Sequence, residues 1–133
     1  MSKEIAKDIE LALTPNPEGD NSFKISITEG EAKLSYFASK KTGNELVNAG
    51  DIELIISDCV ASKYLGSEPE GDLYPGWHDL ESDLCEIENS KWAKTFIALH
   101  GRYRHYVFSL NHQIFECIAQ SCRDNGIGGE QCN

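Results

Sequence analysis

The chain lacks the features that would place it in a membrane or an oxidising compartment. Its 133 residues contain no CxxC pair, and its five cysteines are an odd number at irregular spacing, unlike a zinc site or a disulfide framework. The longest apolar runs, such as 54–56 and 106–108, are far below the roughly 18 residues that cross a bilayer. The amino-terminal residues mix lysine and glutamate through the apolar positions, unlike a signal peptide. We therefore expect reduced thiols, a cytoplasmic location and no membrane contact.

Motifs for common catalytic and cofactor chemistry are also missing. There is no GxSxG, no GxxxxGK and no GxGxxG that opens a helix, and the four histidines do not show HExxH spacing. The sequence therefore predicts no metal and no cofactor, and it assigns no catalytic residue. These absences favour a binding role over catalysis.

The negative charge is concentrated in one part of the chain. The net charge is −10, and residues 51–90 alone carry −10, because they hold eleven carboxylates and one lysine. Residues 1–50 carry −2 and residues 91–133 carry +2. An acidic surface attracts basic proteins and repels nucleic acid phosphates. We expect a basic protein partner and no direct binding to nucleic acid.

Much of this charge lies in residues 66–83, which we name the acidic loop. Its glycines and prolines predict a long surface loop. Aromatic side chains among carboxylates are typical of an interaction surface, although the same aromatics can instead hold the loop against the core. The candidate partner-binding residues are Glu68, Glu70, Asp72, Tyr74, Trp77, Asp79, Glu81 and Asp83.

The pattern of apolar residues predicts an α+β domain. Apolar residues at spacings of three and four predict an amphipathic helix over residues 2–13, and Asn89-Ser90 predicts the start of a helix near 90–99. Alternation predicts strands, including a hairpin of 103–110 with 113–119. We expect an antiparallel sheet of about five or six strands in one domain, residues 1–122, and a flexible glycine-rich tail, residues 123–133.

A second candidate site lies towards the carboxyl end. Glu116 shares a strand face with two isoleucines, so it needs a partner, and Lys91, Arg102 and Arg104 are the cationic candidates. His105 can meet Glu116 across the predicted hairpin. One interpretation is a polar pocket, and the other is structural, with Ser90 as a helix cap and Glu116 in a buried ion pair. The residues of the predicted pocket are Glu88, Asn89, His105 and Glu116.

Residues 85–92 and 104–119 resemble a family of small bacterial proteins of uncharacterised function. The family pattern is E-x-E-N-S-x-W followed by H-Y-x-x-x-F-H-D-x-x-F-E-C-x-A, and the match spans residues 83–119, about a quarter of the chain. The F-H-D element is replaced here by Leu110-Asn111-His112. The resemblance implies a bacterial cytoplasmic origin and adds no activity.

Two functional hypotheses follow. The first is an acidic protein that neutralises a basic protein partner, as immunity proteins and phage inhibitors do, through the acidic loop. The second is a small enzyme or ligand-binding domain that uses the polar pocket. The sequence leaves the oligomeric state open.

Overall fold

Alternating apolar and polar side chains dominate the chain, and the structure, a computed structural model, is built from strands. It describes residues 3–9, 14–15, 23–42, 45–67, 70–80, 82–97, 101–110 and 113–124. In these ranges there are two antiparallel sheets, two single 3₁₀ turns and no α-helix. The predicted α+β class is therefore wrong. No helix within the same ranges is long and apolar enough to span a membrane.

Ten strands form the two sheets. They are β1 (Ile5–Ile9), β2 (Thr14–Pro15), β3 (Phe23–Thr28), β4 (Glu31–Thr42), β5 (Glu45–Ser57), β6 (Ala61–Leu65), β7 (Leu84–Glu88), β8 (Arg104–Leu110), β9 (Gln113–Ala119) and β10 (Ser121–Asp124). The first sheet has the order β1-β7-β8-β9-β6. The second has the order β10-β5-β4-β2, and β3 also pairs with β4.

Three pairs of consecutive strands form hairpins in the described residues: β3 with β4, β4 with β5, and β8 with β9. Strands β8 and β9 pair from Arg104↔Ala119 to Leu110↔Gln113, which confirms the predicted carboxy-terminal hairpin. Strands β3 and β4 pair up to Thr28↔Glu31. The two residues between them, Glu29 and Gly30, have φ values of 49° and 82°, as a tight turn that suits the twist of the strands requires.

The main core lies between the two sheets. Leu34 and Tyr36 from β4 and Leu54 from β5 pack against residues of the first sheet, and the rings of Tyr36 and Phe108 are 5.4 Å apart between centroids. The β-strand periodicity of two brings alternate residues of β4, β5, β8 and β9 to this interface. The chain passes between the sheets at β5–β6 and β9–β10, where Gln120 N–H donates to the carbonyl of Ser57 at 3.1 Å.

The acidic loop covers the outer face of the first sheet. A second apolar cluster forms there, in which Ile87, Val107 and Ile114 are buried beneath the loop residues Leu73, Tyr74, Trp77 and Leu80. The first sheet therefore packs an apolar cluster on each of its two faces.

Backbone contacts hold the loop in place. Ala6 N–H donates to the carbonyl of Pro75 at 2.8 Å, and Ser82 Oγ donates to the carbonyl of Ile9 at 2.6 Å. Gly76, with φ at 86°, approaches so closely that a Cβ would lie 3.1 Å from the carbonyl oxygen of Ala6. Glycine is therefore required at this turn.

The predicted amino-terminal helix is wrong, because this segment is a strand whose side chains pack into two different apolar clusters. Residues 5–9 form an edge strand that pairs with β7. Ala6 belongs to the outer cluster and Ile9 to the main core, since an odd offset in a strand places side chains on opposite faces. The spacing of three between Ala6 and Ile9 therefore arises because both faces of the strand are partly buried, and it does not indicate a helix. Ile5 stays 41% exposed.

The predicted helix near 90–99 is reduced to a single 3₁₀ turn, Ala93–Thr95. Ser90 does cap it, because Ala93 N–H donates to Ser90 Oγ at 3.1 Å. The backbone becomes extended at Phe96, and Ile97 is 95% exposed. A longer helix would need a surface that buries this isoleucine.

The predicted domain, residues 1–122, and flexible tail, residues 123–133, stay predictions. Strand β10 pairs with β5 up to Asp124↔Leu54, so the sheet extends to Asp124. Residues 125–133 lie outside the described part of the chain.

Candidate functional site

A buried histidine and carboxylate lie on the outer face of the first sheet. The register pairs His105 with Ile118 and Val107 with Glu116, so His105 and Glu116 are diagonal neighbours on one face. His105 Nε2 is 2.8 Å from Glu116 Oε1, and both residues are 1% exposed. The sequence-based expectation that these two residues meet across the hairpin is confirmed.

Ser90 extends this pair into a chain of hydrogen bonds. Its Oγ atom is 2.7 Å from His105 Nδ1, and it also accepts the N–H of Ala93. An ionised carboxylate can only accept, so the proton on Nε2 of His105 faces Glu116. In neutral His105 the Nδ1 atom then accepts the hydroxyl proton of Ser90. The ring is held at both nitrogens and cannot rotate freely.

Tyr74 of the acidic loop and Lys63 of the edge strand β6 also contact Glu116. Tyr74 of the acidic loop donates its hydroxyl proton to Oε1. Lys63 lies directly opposite Glu116 in the β6–β9 register, and its Nζ atom is 3.5 Å from Oε2. The same ammonium lies 4.9 Å from the ring centroid of Trp92. The predicted cationic partners Lys91, Arg102 and Arg104 are therefore wrong. Lys63 on β6 contacts Glu116, whereas Arg102 and Arg104 lie beside Glu86.

These contacts decide the charge of Glu116. Burial alone would raise its pKa, but the hydrogen bonds from His105 and Tyr74 and the charge of Lys63 hold the pKa of Glu116 below its ordinary value of 4.5. Burial, together with the adjacent carboxylate, raises the pKa of Tyr74 well above its ordinary value. Glu116 is thus ionised at neutral pH, and Tyr74 remains a donor.

The lowered pKa predicts acid sensitivity. A group whose pKa is lower in the folded state stabilises that state above its unfolded pKa, and the contribution is lost as pH falls through the folded value. We therefore expect the free energy of unfolding to fall below about pH 4.5 more steeply in the wild type than in Glu116→Gln. Urea denaturation between about pH 3 and pH 7 measures this. Parallel profiles would contradict the assignment.

Beside this network is a cavity of about 440 Å³. Ser90, His105 and Ile87 contribute to its lining from the sheet side, and Phe96 and Tyr103 form aromatic walls, with ring centroids 6.2 Å apart. Its volume lies in the range of roughly 300–1,000 Å³ that is typical of small-molecule sites. His105 contributes to the lining, but its side chain is 1% exposed and both ring nitrogens are hydrogen-bonded within the protein.

The structure brings together only part of the predicted polar pocket. Glu88 pairs with Lys7 at 2.7 Å and takes no part in the network. The Asn89 side chain donates to the carbonyl of Lys3 at 3.1 Å, and its φ of 58° turns the chain towards Ser90. Asn89 lines the cavity, whereas Glu116 lies beneath Tyr74 and does not.

The residues predicted to bind a partner separate into inward and outward groups. Tyr74 and Trp77 face the sheet, and burial raises the pKa of the half-buried Asp83. Asp72 is exposed and pairs with His78 at 2.8 Å. Glu70 and Asp79 are also exposed, and Glu68 and Glu81 lie outside the described residues. Tyr74 and Trp77 thus hold the loop, whereas Glu70, Asp72 and Asp79 face solvent.

The network has the residue types of a serine nucleophile with a base, but its geometry suits orientation instead. Ser90 is 4% exposed, and its oxygen already accepts the N–H of Ala93. A nucleophilic serine needs an accessible oxygen beside paired donors for the developing oxyanion. Ser90 therefore positions His105 and caps the turn.

Among the described cysteines, Cys59 and Cys117 have pKa values shifted in opposite directions. Cys59, Cys85, Cys117 and Cys122 are free. A hydrogen bond with Cys117 lowers the pKa of the half-buried Cys59 to about 7, whereas that bond and burial raise the pKa of Cys117. The sequence-based expectation that Cys117 is a poor nucleophile is supported by this shift.

Sequence reasoning missed Lys63, Trp92 and the contact of Tyr74 with Glu116. These contacts depend on the strand order and on the path of the acidic loop, which no local pattern encodes. Comparison of the chain with protein-family models, curated proteins and solved structures finds no match. The resemblance of residues 83–119 to a bacterial family therefore stays a prediction.

Proposed function

We propose that this chain is a small-ligand-binding domain whose site is the cavity beside Ser90 and His105. The observation that supports it is the position of a fully buried, doubly hydrogen-bonded histidine in the lining of a cavity of about 440 Å³. A preorganised polar group in a partly aromatic concavity is typical of ligand sites. The proposal includes a cytoplasmic location, which suits free thiols.

A fragment screen followed by two-dimensional NMR tests this proposal. We expect bound fragments to shift the amide resonances of Ser90, Ala93 and Tyr103. Phe96→Ala, which removes a cavity wall, should weaken binding. Tyr64→Ala is the matched control, because Tyr64 is a 51% exposed aromatic residue on β6 that does not line the cavity. Fragments that shift resonances elsewhere, or that bind Phe96→Ala as well as wild type, would contradict the proposal.

A second candidate function is the neutralisation of a basic protein by the acidic loop. It is supported by the outward position of Glu70 and Asp79 on a loop that apolar side chains hold against the sheet. A rigid surface loses little conformational entropy on binding. Tyr74 and Trp77 are not part of this proposed surface, because they face the sheet.

Charge reversal tests the second candidate. A partner retained at low salt should dissociate at 0.5 M salt, where the Debye length is roughly 4 Å. Glu70→Lys with Asp79→Lys should abolish retention. Glu29→Lys with Glu31→Lys, in the β3–β4 turn region, changes the net charge equally and should retain the partner. Equal retention by both double variants would argue against the acidic loop as the contact surface.

A further inference from the structure

The cavity has a charge opposite to that of the protein. Three cationic side chains, Lys94, Arg102 and Arg104, line it together with one carboxylate, Glu86, which leaves a net charge of +2 with His105 neutral. The whole chain carries −10. We propose that the cavity binds a small organic anion through a carboxylate or phosphate group. This inference rests on the proposed ligand-binding function and specifies the chemical class of the ligand.

The single carboxylate does not neutralise both arginines. Arg104 Nη1 lies 3.4 Å from Glu86 Oε1, whereas Arg102 Nη2 lies 4.0 Å from Oε2, beyond hydrogen-bonding distance. The side chains of Glu86 and Arg104 are 17% and 29% exposed, but that of Arg102 is 74% exposed. Glu86 therefore holds Arg104 in position and leaves the guanidinium donors of Arg102 available to an oxyanion.

Lys94 adds a second available cation. It lies in the turn Ala93–Thr95, directly after the cap made by Ser90, and its side chain is exposed. In the part of the chain that the structure describes, Lys94 forms no ion pair. An ammonium and a guanidinium that line the same cavity suit a group with two or three oxygens, because each cation can bind a different oxygen.

Apolar surface beside the cations indicates that the anion has an organic part. The rings of Phe96 and Tyr103 meet edge to face at an interplanar angle of 76°. Ile97, in the same lining, is 95% exposed. Exposed apolar surface of this kind is stabilised when a ligand covers it. Inorganic phosphate alone would satisfy the cations but leave this surface in water.

Calorimetric titration of the full chain with matched probes tests the inference. The probes are phenyl phosphate and benzoate as anions, benzamide as the neutral analogue of benzoate, and inorganic phosphate as the anion without an apolar part. We expect either aromatic anion to bind more tightly than benzamide and inorganic phosphate. The NMR shifts of Ser90 and Tyr103 locate the binding.

Variants that remove one positive charge distinguish anion binding in the cavity from general electrostatic attraction to the protein. Arg102→Gln and Lys94→Gln should each weaken the binding of the aromatic anion about tenfold, as expected for a lost charged hydrogen bond. Arg123→Gln is the matched control, because Arg123 is an exposed arginine on β10 and does not line the cavity. The Arg123→Gln variant should bind the aromatic anion with an affinity within about twofold of that of the wild type. Thermal unfolding confirms that all three variants fold.

The possible failures are distinguishable. If benzamide binds in the cavity as tightly as benzoate, and Arg102→Gln has no effect, the anionic class is wrong and the ligand-binding function stands. If Arg123→Gln weakens binding as much as Arg102→Gln, the anion binds by general charge attraction and the inference is overturned. If no probe and no fragment shifts the cavity resonances, both the inference and the proposed function are overturned.

Discussion

Replacement of Glu116 by alanine should lower the free energy of unfolding by about 3–5 kcal/mol, the usual effect of removing one partner of a buried ionic pair. The substitution leaves the Nε2 proton of His105 and the hydroxyl of Tyr74 without their acceptor in a buried position. Both groups then lose their hydrogen bonds without regaining water. Urea denaturation followed by circular dichroism measures the change.

Glu88→Ala is the matched control for this experiment. Glu88 was grouped with Glu116 by sequence, but it pairs with Lys7 at the surface, where the side chains are 38% and 64% exposed. Exposed pairs contribute about 0–1 kcal/mol. Glu116→Gln should have an intermediate effect, because the amide retains an acceptor for Tyr74. Equal effects of Glu116→Ala and Glu88→Ala would contradict the network described above.

Replacement of Trp77 by alanine should lower the free energy of unfolding by about 2–3 kcal/mol, somewhat less than a fully buried aromatic residue. Trp77 is half-buried and packs on the outer apolar cluster of the first sheet. Its removal exposes this cluster and loosens the acidic loop. Hydrogen exchange should therefore accelerate at amides of the loop, such as Trp77 and Leu80, whose N–H groups donate within it.

Replacement of the neighbouring His78 by alanine is the control, because it changes the loop without removing a packed side chain. The His78 side chain is 80% exposed and contacts only Asp72 among the ion pairs of the described residues. We expect its effect on stability to stay within about 0.5 kcal/mol. If Trp77→Ala leaves stability unchanged as well, Trp77 does not anchor the loop, and its role as a contact for a partner returns.

Some of the strands could be predicted from local patterns. Alternation located β3 and the β8–β9 hairpin, because their side chains divide between core and solvent or between the two clusters. Alternation did not reveal the strand at residues 5–9. Ala6 and Ile9 pack into different clusters there, and their spacing of three resembles that of a helix. The start of a turn at Ser90 was predicted, but its length depends on tertiary packing that the local pattern does not contain.

The candidate site could be predicted only within one hairpin. His105 and Glu116 are eleven residues apart, so the register of a two-residue connection brings them to one face. Lys63 and Tyr74 reach Glu116 through strand order and through the path of the acidic loop. The cationic cavity was visible only as the positive balance of residues 91–133, because charge counts along the chain do not show which side chains converge.

The pairing of β1 with β7 also has a consequence for synthesis on the ribosome. Ile9 pairs with Leu84, which is 75 residues later in the chain. At about 5–20 residues per second, β1 leaves the ribosome roughly 4–15 s before its partner strand. During that interval Ala6 has no sheet to bury it, because every other residue of the outer cluster lies at Leu73 or later in the chain. The first sheet therefore closes late, after the local hairpins of β3 with β4 and of β4 with β5 have been synthesised.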